Sequence, residues 1–273
     1  MKKMYKLKNW IDEDKLNWNI LCRNPNAMQL IEKKPDQINW YRLSENPSAI
    51  SLIEKNLDGF FYYNYPYVNF EKVKWDYLSE NPAAIHLLKR FPEEINWSGL
   101  STNTAAIKLL EANLDKIDWT YLSKNPAAIH LLEANQDKIN WTFLSTNPAA
   151  IPLLTKNVGK INWTYLSTNP AAIPLLTENL DKVDWCGLSK NPAAIPLLEA
   201  NLDKVEWLLL SENPAAIHLL EANQDKVDWF WISCNPSIFE YDYKKMVRPF
   251  TEELMTNRFH PQNIEKFEGW GFE

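Results

Sequence analysis

The sequence predicts an all-α fold, an α-solenoid of tandem 22-residue two-helix repeats with N- and C-terminal caps. Three observations predict it. Tryptophan returns every 22 residues at Trp75, Trp97, Trp119, Trp141, Trp163, Trp185, Trp207 and Trp229, and Trp18 and Trp40 stand at the same interval ahead of them. A period of this size marks an array of small units, none of which can bury its own apolar face alone. With each Trp as position 1, Asn stands at position 7 in all ten copies, Pro at position 8 in nine and Leu at position 4 in nine. Six glycines in 273 residues argue against a Gly-rich β-solenoid.

Each unit opens on a short helical turn. Apolar residues at positions 21, 1 and 4 (Ile117, Trp119 and Leu122 in one copy) fit a helix better than a sustained strand. The Asp or Asn at position 22, such as Asp118 or Asn140, suits its N-cap. The second helix starts at Asn-Pro. A residue before proline is pushed out of the α region, an N-cap needs that backbone state, and proline tolerates the first helical turn. Asn81, Asn103, Asn125, Asn147, Asn169, Asn191 and Asn213 are therefore read as caps. Asn at position 17 reads as a left-handed helix stop.

Pro152, Pro174 and Pro196 at position 12 would cost about 3 kcal/mol each inside a helix. Positions 8–11 are therefore expected to form a separate turn, with the regular helix starting nearer position 12. A leucine-rich-like β/α solenoid is the rival architecture. Gly99 and Gly187 at position 3 and the recurring Leu at position 4 break the alternation it requires.

Residues 18–234 hold the repeats, and 1–17 and 235–273 are read as caps, Trp10–Leu16 resembling a half-unit. The array is expected to be an elongated, slightly curved row on the order of 90 Å long, from about 8–10 Å per stacked unit. One interruption, residues 59–73, adds 13 residues between Trp40 and Trp75 and is crowded with aromatics.

Composition excludes several functions. The net charge of −6 is spread along the chain, without the basic face that nucleic-acid binding rests on. Cys22, Cys186 and Cys234 have unrelated spacings, so neither a disulfide framework nor a metal site is expected. Met1–Trp10 lacks the apolar stretch of about 7–15 residues that a secretory signal needs. No run approaches the roughly 18 apolar residues of a membrane span. A soluble, intracellular protein without membrane contact is expected, as a monomer.

The units LSxNPAAIxLLEANxDKIxW, with NPSIFEYDY at Asn235–Tyr243 and EELMTNRFHPQNIEKFEGWGF at Glu252–Phe272, resemble a family of tandem-repeat proteins in giant DNA viruses of protists. The resemblance covers nearly the whole chain. It implies a viral protein acting in the host cytoplasm or the virion, and implies no activity.

Among candidate functional residues, the Trp column could stack bases or sugars, but its phase with the aliphatics assigns it to packing between units. The Asn column could bind a peptide backbone, but its place before Pro makes capping sufficient. His86, His130 and His218 share position 12 and lie two or four units apart, too far to share an ion, so they are read as exposed and available to a partner. The recurrent Ser at position 5 lacks a His-and-Asp arrangement, so catalysis is not expected, nor is any cofactor. Phe61, Tyr62, Tyr63, Tyr65, Tyr67 and Phe70 of the insert are the principal partner-binding candidates, since Tyr and Phe are enriched at interfaces. The expected function is a non-catalytic protein–protein interaction scaffold using variable positions 2, 3, 6, 12, 15, 16 and 18 and the insert. A structural role in virion assembly, as a spacer, is the alternative.

Overall fold

A computed structural model describes residues 4–63 and 73–253. Every unit begins with a short α-helix at its Trp, for example Trp119–Leu122. A 3-10 turn follows at Pro126–Ala128, then a second α-helix at Ile129–Ala134 and a second 3-10 turn at Gln136–Lys138. The chain is an all-α repeat solenoid. Its second helix starts at position 11, after the turn. Pro152, Pro174 and Pro196 thus fall within the first two residues of Ile151–Thr155, Ile173–Thr177 and Ile195–Glu199, where no intrahelical N–H is needed.

Capping at position 22 is as expected: Asn140 accepts from the Phe143 N–H at 3.1 Å. Position 17 differs. Asn113, Asn135 and Asn179 have φ near −140°, −134° and −133°, outside the left-handed region. Each side-chain amide donates instead to the carbonyl four residues back, Asn135 to Leu131 at 2.9 Å, so the side chain closes the helix and no positive φ is required.

Leu at position 4, Ala at position 10 and Leu at position 14 make the core. Leu122, Ala128 and Leu132 are all fully buried. The tryptophans pack on this core from its edge. Trp75 is buried, while Trp97, Trp119, Trp141, Trp163, Trp185, Trp207 and Trp229 are half-buried. In most copies the Lys at position 20 covers the outer indole face, Lys160 lying 4.3 Å from the centre of Trp141.

The units do not form an open row. Their inner parts, the 3-10 turns at Pro-Ala-Ala, touch from one copy to the next, whereas the bulkier second helices are less closely paired. Each unit is therefore a wedge, and ten wedges close a circle. Closure is visible in the bonds. Asn46 donates to the carbonyls of Cys22 and Asn24 in the preceding unit, at 2.9 and 3.0 Å. Asn24 in the first unit donates in the same way to Ser233 and Asn235 in the last, at 3.1 and 2.9 Å. The elongated shape expected from stacking is thus replaced by a ring. At about 8–10 Å between outer helices, ten units give a diameter on the order of 30 Å.

The tenth unit is assembled from both ends of the chain. The C-terminal side supplies Trp229–Ile232 and the turn Pro236–Ile238. The N-terminal side supplies the second 3-10 turn, Glu13–Lys15, and the cap Asn17. Lys15 lies 5.0 Å from the Trp229 ring centre, the place that position-20 lysines fill elsewhere. Where the second helix would run, β1 (Tyr5–Leu7) pairs antiparallel with β2 (Phe239–Tyr241). Cross-strand partners fix the register: Tyr5 stacks on Tyr241 at 5.1 Å and Lys6 pairs with Glu240 at 2.9 Å. The two terminal segments thereby cover each other's apolar faces. A final helix, Tyr243–Glu253, leaves this ribbon.

The second helix of unit 2 runs Ile50–Tyr63, well past its counterparts, and leads into the insert. Tyr65, Tyr67 and Phe70, the side chains of Phe61, Tyr62 and Tyr63, and the tail beyond Glu253 lie outside the described residues. Among the described residues no helix is long and apolar enough to cross a membrane.

Candidate functional site on the inner wall of the ring

Two polar columns line the seams between units and hold the wall in shape. The Asn of position 7 uses its whole amide. In unit 5, Asn125 Oδ1 accepts from the Ala127 N–H at 3.0 Å, and its Nδ2 donates to Ser101 and Asn103 of the preceding unit at 3.0 and 3.1 Å. The Ser of position 5 works beside it. Ser123 donates to the Trp119 carbonyl at 2.8 Å and accepts from the Asn140 N–H at 3.0 Å. Both columns are buried, from Asn46 through Asn81, Asn103, Asn147, Asn169, Asn191 and Asn213 to Asn235. The asparagine ladder binds peptide backbone after all, and the backbone is the chain's own.

Side chains on an inner wall converge and can meet partners two units away; those on an outer wall diverge. Position 6 behaves as the inner wall. Arg23 of unit 1 bonds Glu45 of unit 2 at 2.7 Å and lies 3.9 Å from Glu212 of unit 9, passing over unit 10. Lys190 of unit 8 pairs with Glu212 at 3.6 Å and lies 5.8 Å from the Trp231 ring of unit 10. Position 3 shares this face. Tyr121, Phe143 and Tyr165 form a ladder with ring centres 6.0 and 5.9 Å apart, and Lys124 of position 6 sits 4.3 Å over Phe143. Gly99 and Gly187 hold position 3 where first helices approach most closely. A Cβ there would lie 2.9 Å from the Asp76 carbonyl or 3.0 Å from that of Thr164.

The wall has two chemically distinct sectors. One is the aromatic ladder of units 5–7. The other, at the closure seam, surrounds a pocket of about 370 Å³ lined by Arg23, Glu45, Tyr77, Glu80, Glu212 and Cys234 with the Pro47 and Pro82 turns. Burial raises the Glu80 carboxyl above its ordinary range, opposed by the Lys124 ammonium and reinforced by Glu45 and Asp76. Burial, then the Glu212 carboxylate, pushes the Cys234 thiol up to about 11. Burial likewise raises Cys22, which stands in the serine column and accepts from the Asn39 N–H. Cys186 is raised by desolvation and by Asp184 and Glu206. All three are protonated at neutral pH and lack the lowered pKa of an activated nucleophile.

The remaining candidates lie elsewhere. His86, His130 and His218 are exposed on the outer wall, each paired with the position-15 Glu of the preceding unit: Glu54, Glu111 and Glu199, at 2.6, 3.0 and 2.9 Å. The histidines are not brought together. Among the described residues no group of three His, Cys, Asp or Glu is placed to hold a metal. Sequence reasoning missed the convergence of positions 3 and 6, which it grouped with other variable positions. Fold and wall together define the class: a closed ring of helical repeats with a variable inner face. Comparison with protein-family models, curated proteins and solved structures finds no match to this chain.

Proposed function

We propose that this chain is a non-catalytic protein–protein interaction ring whose inner wall seats a short segment of a partner protein. One observation carries the reading. Position 3 holds Tyr77, Tyr121, Phe143, Tyr165, Leu209 and Trp231 among its ten residues, and position 6 holds Arg23, Glu45, Glu80, Lys124, Lys190 and Glu212. Positions 4, 5, 7 and 8 between them barely change. The concave face thus varies from unit to unit on a constant frame, and there half-exposed aromatics alternate with charges, the composition of interface hot spots. A ring has no long axis, so the geometry does not favour a spacer. The viral origin that the repeat and tail motifs point to belongs to the same proposal, with the partner a host or viral protein.

The test is affinity purification followed by titration of the captured partner, using wild type and a Tyr121→Ala/Phe143→Ala variant. Both side chains are half-exposed, so the variant should melt near the wild-type temperature while binding the partner roughly 10–30-fold more weakly. Equal binding by the two proteins would move the site off the inner wall.

A further inference from the structure

On the outer wall, position 12 meets position 15 of the preceding unit, and position 18 lies beside position 15 of its own unit. His130 at position 12 pairs with Glu111 at position 15 of the preceding unit, and the Gln136 side chain at position 18 donates to the Glu133 carbonyl at position 15 at 3.4 Å. His218–Glu199 and Gln224–Glu221 repeat the arrangement. In units 6–8 the same places turn apolar. Exposed Pro152, Pro174 and Pro196 take position 12, and Val158, Leu180 and Leu202 take position 18 at 49 %, 48 % and 46 % exposure. Thr155 and Thr177 at position 15 turn their hydroxyls back onto the Ile151 and Ile173 carbonyls at 3.1 and 2.8 Å. A belt three units wide, bounded by the His130 and His218 pairs, therefore lacks the polar network of its neighbours. The fold does not require it, since Gln29, Ser51 and Lys108 also occupy position 12.

We infer that this belt docks a second copy of the chain, through that copy's insert of residues 59–73. Chemistry and placement both select this occupant. Seven of the 15 insert residues are Phe or Tyr, and its single Glu and single Lys cancel, so an aromatic segment without net charge meets a row of exposed prolines and aliphatics, with Lys156, Glu178 and Glu199 at its margins. Flat rings stack readily on pyrrolidine rings, as in aromatic grooves that bind proline-rich segments. The insert leaves the helix Ile50–Tyr63 of unit 2, five units from unit 7 and so on the opposite side of a ten-unit ring. Half the outer circumference is about 40–50 Å. Residues 64–72, even fully extended, span at most about 30 Å and must return to Val73, so they cannot reach the belt of their own ring. Two belts would meet only as convex walls, along a narrow line. A plug and a socket on opposite sides join copies head to tail into rows, the outcome of a heterologous contact that does not close.

The experiment is sedimentation velocity on the full chain and two variants. Leu180→Asp/Leu202→Asp spoils the socket at half-exposed positions. Deletion of residues 60–72 removes the plug and restores the 22-residue interval between Trp40 and Trp75. Circular dichroism melts establish that both variants fold. The wild type is expected to grow beyond dimers with concentration, and each variant alone to stay monomeric, its self-association weakened more than about tenfold. An equimolar mixture of the two should form 1:1 dimers and stop there, because one retains the plug and the other the socket. A wild type monomeric at its highest soluble concentration, a deletion variant that still self-associates, or a mixture that fails to pair would each overturn the inference.

Discussion

Replacing Asn125 by alanine is expected to cost about 3–5 kcal/mol of folding stability, read as a shift in the denaturation midpoint. The residue is fully buried, and the change strands two backbone groups, the Ala127 N–H and the Ser101 carbonyl, and takes one of two donors from the Asn103 carbonyl, which keeps the Ala106 N–H. Each buried group left unpaired costs about 1–3 kcal/mol. The loss exceeds the roughly 1 kcal/mol of an ordinary N-cap because two of the three bonds cross to the preceding unit. Asn125→Asp sharpens the test. It keeps the capping oxygen but sets a carboxylate against two carbonyls, so it should be no milder than alanine. A loss near 1 kcal/mol for Asn125→Ala would mean that capping is the whole role of the column.

Removing residues 1–17 is the second large change. It strips β1, the Asn17 cap and the buried Ile11 and Leu16 from the tenth unit. Burial of those two side chains alone is worth about 3–6 kcal/mol. The faces of units 1 and 10, with Ile20, Leu21, Ile232 and Ile238 fully or almost fully buried in the closed ring, would be bared to water. X-ray scattering should give a radius of gyration near 18–19 Å for the intact chain, by the scaling of compact proteins. The truncated chain should be larger, or associate through its open ends. An unchanged radius with unchanged stability would show that the N-terminal segment does not close the ring.

Much of the local structure was legible because it follows from short-range rules. Asn before Pro names a cap wherever it occurs, and a proline at position 12 requires a helix that has only just begun. Position 17 misled because asparagine has two ways to end a helix, and only the surroundings select the side-chain bond to Leu131 over a positive φ. The tryptophan column, in phase with the core, packs against it from the edge, with a lysine over its outer face in most copies.

The curvature was not legible. Periodicity tells which positions are buried, not which way the stack bends, so positions 3 and 6 could not be assigned to a concave wall. Closure did leave a trace. The last copy loses its pattern after Ile238, and Glu13-Asp14-Lys15 stands before Trp18 where Leu114-Asp115-Lys116 stands before Trp119. Two partial copies that complete one unit are a sign that the ends meet. The ribbon between them was hidden, since three residues per strand are too few to declare a period.

The measurement that tests the closed ring most directly is the distance between spin labels at Lys6→Cys and Glu240→Cys, with the exposed Cys186 changed to Ser. These residues face each other across the β1–β2 ladder. Paired strands set their Cα atoms about 5.5 Å apart, so with both label arms the distance should stay below about 25 Å. Ten units stacked in an open row would hold the labels on the order of 80–90 Å apart, and that result would contradict the ring.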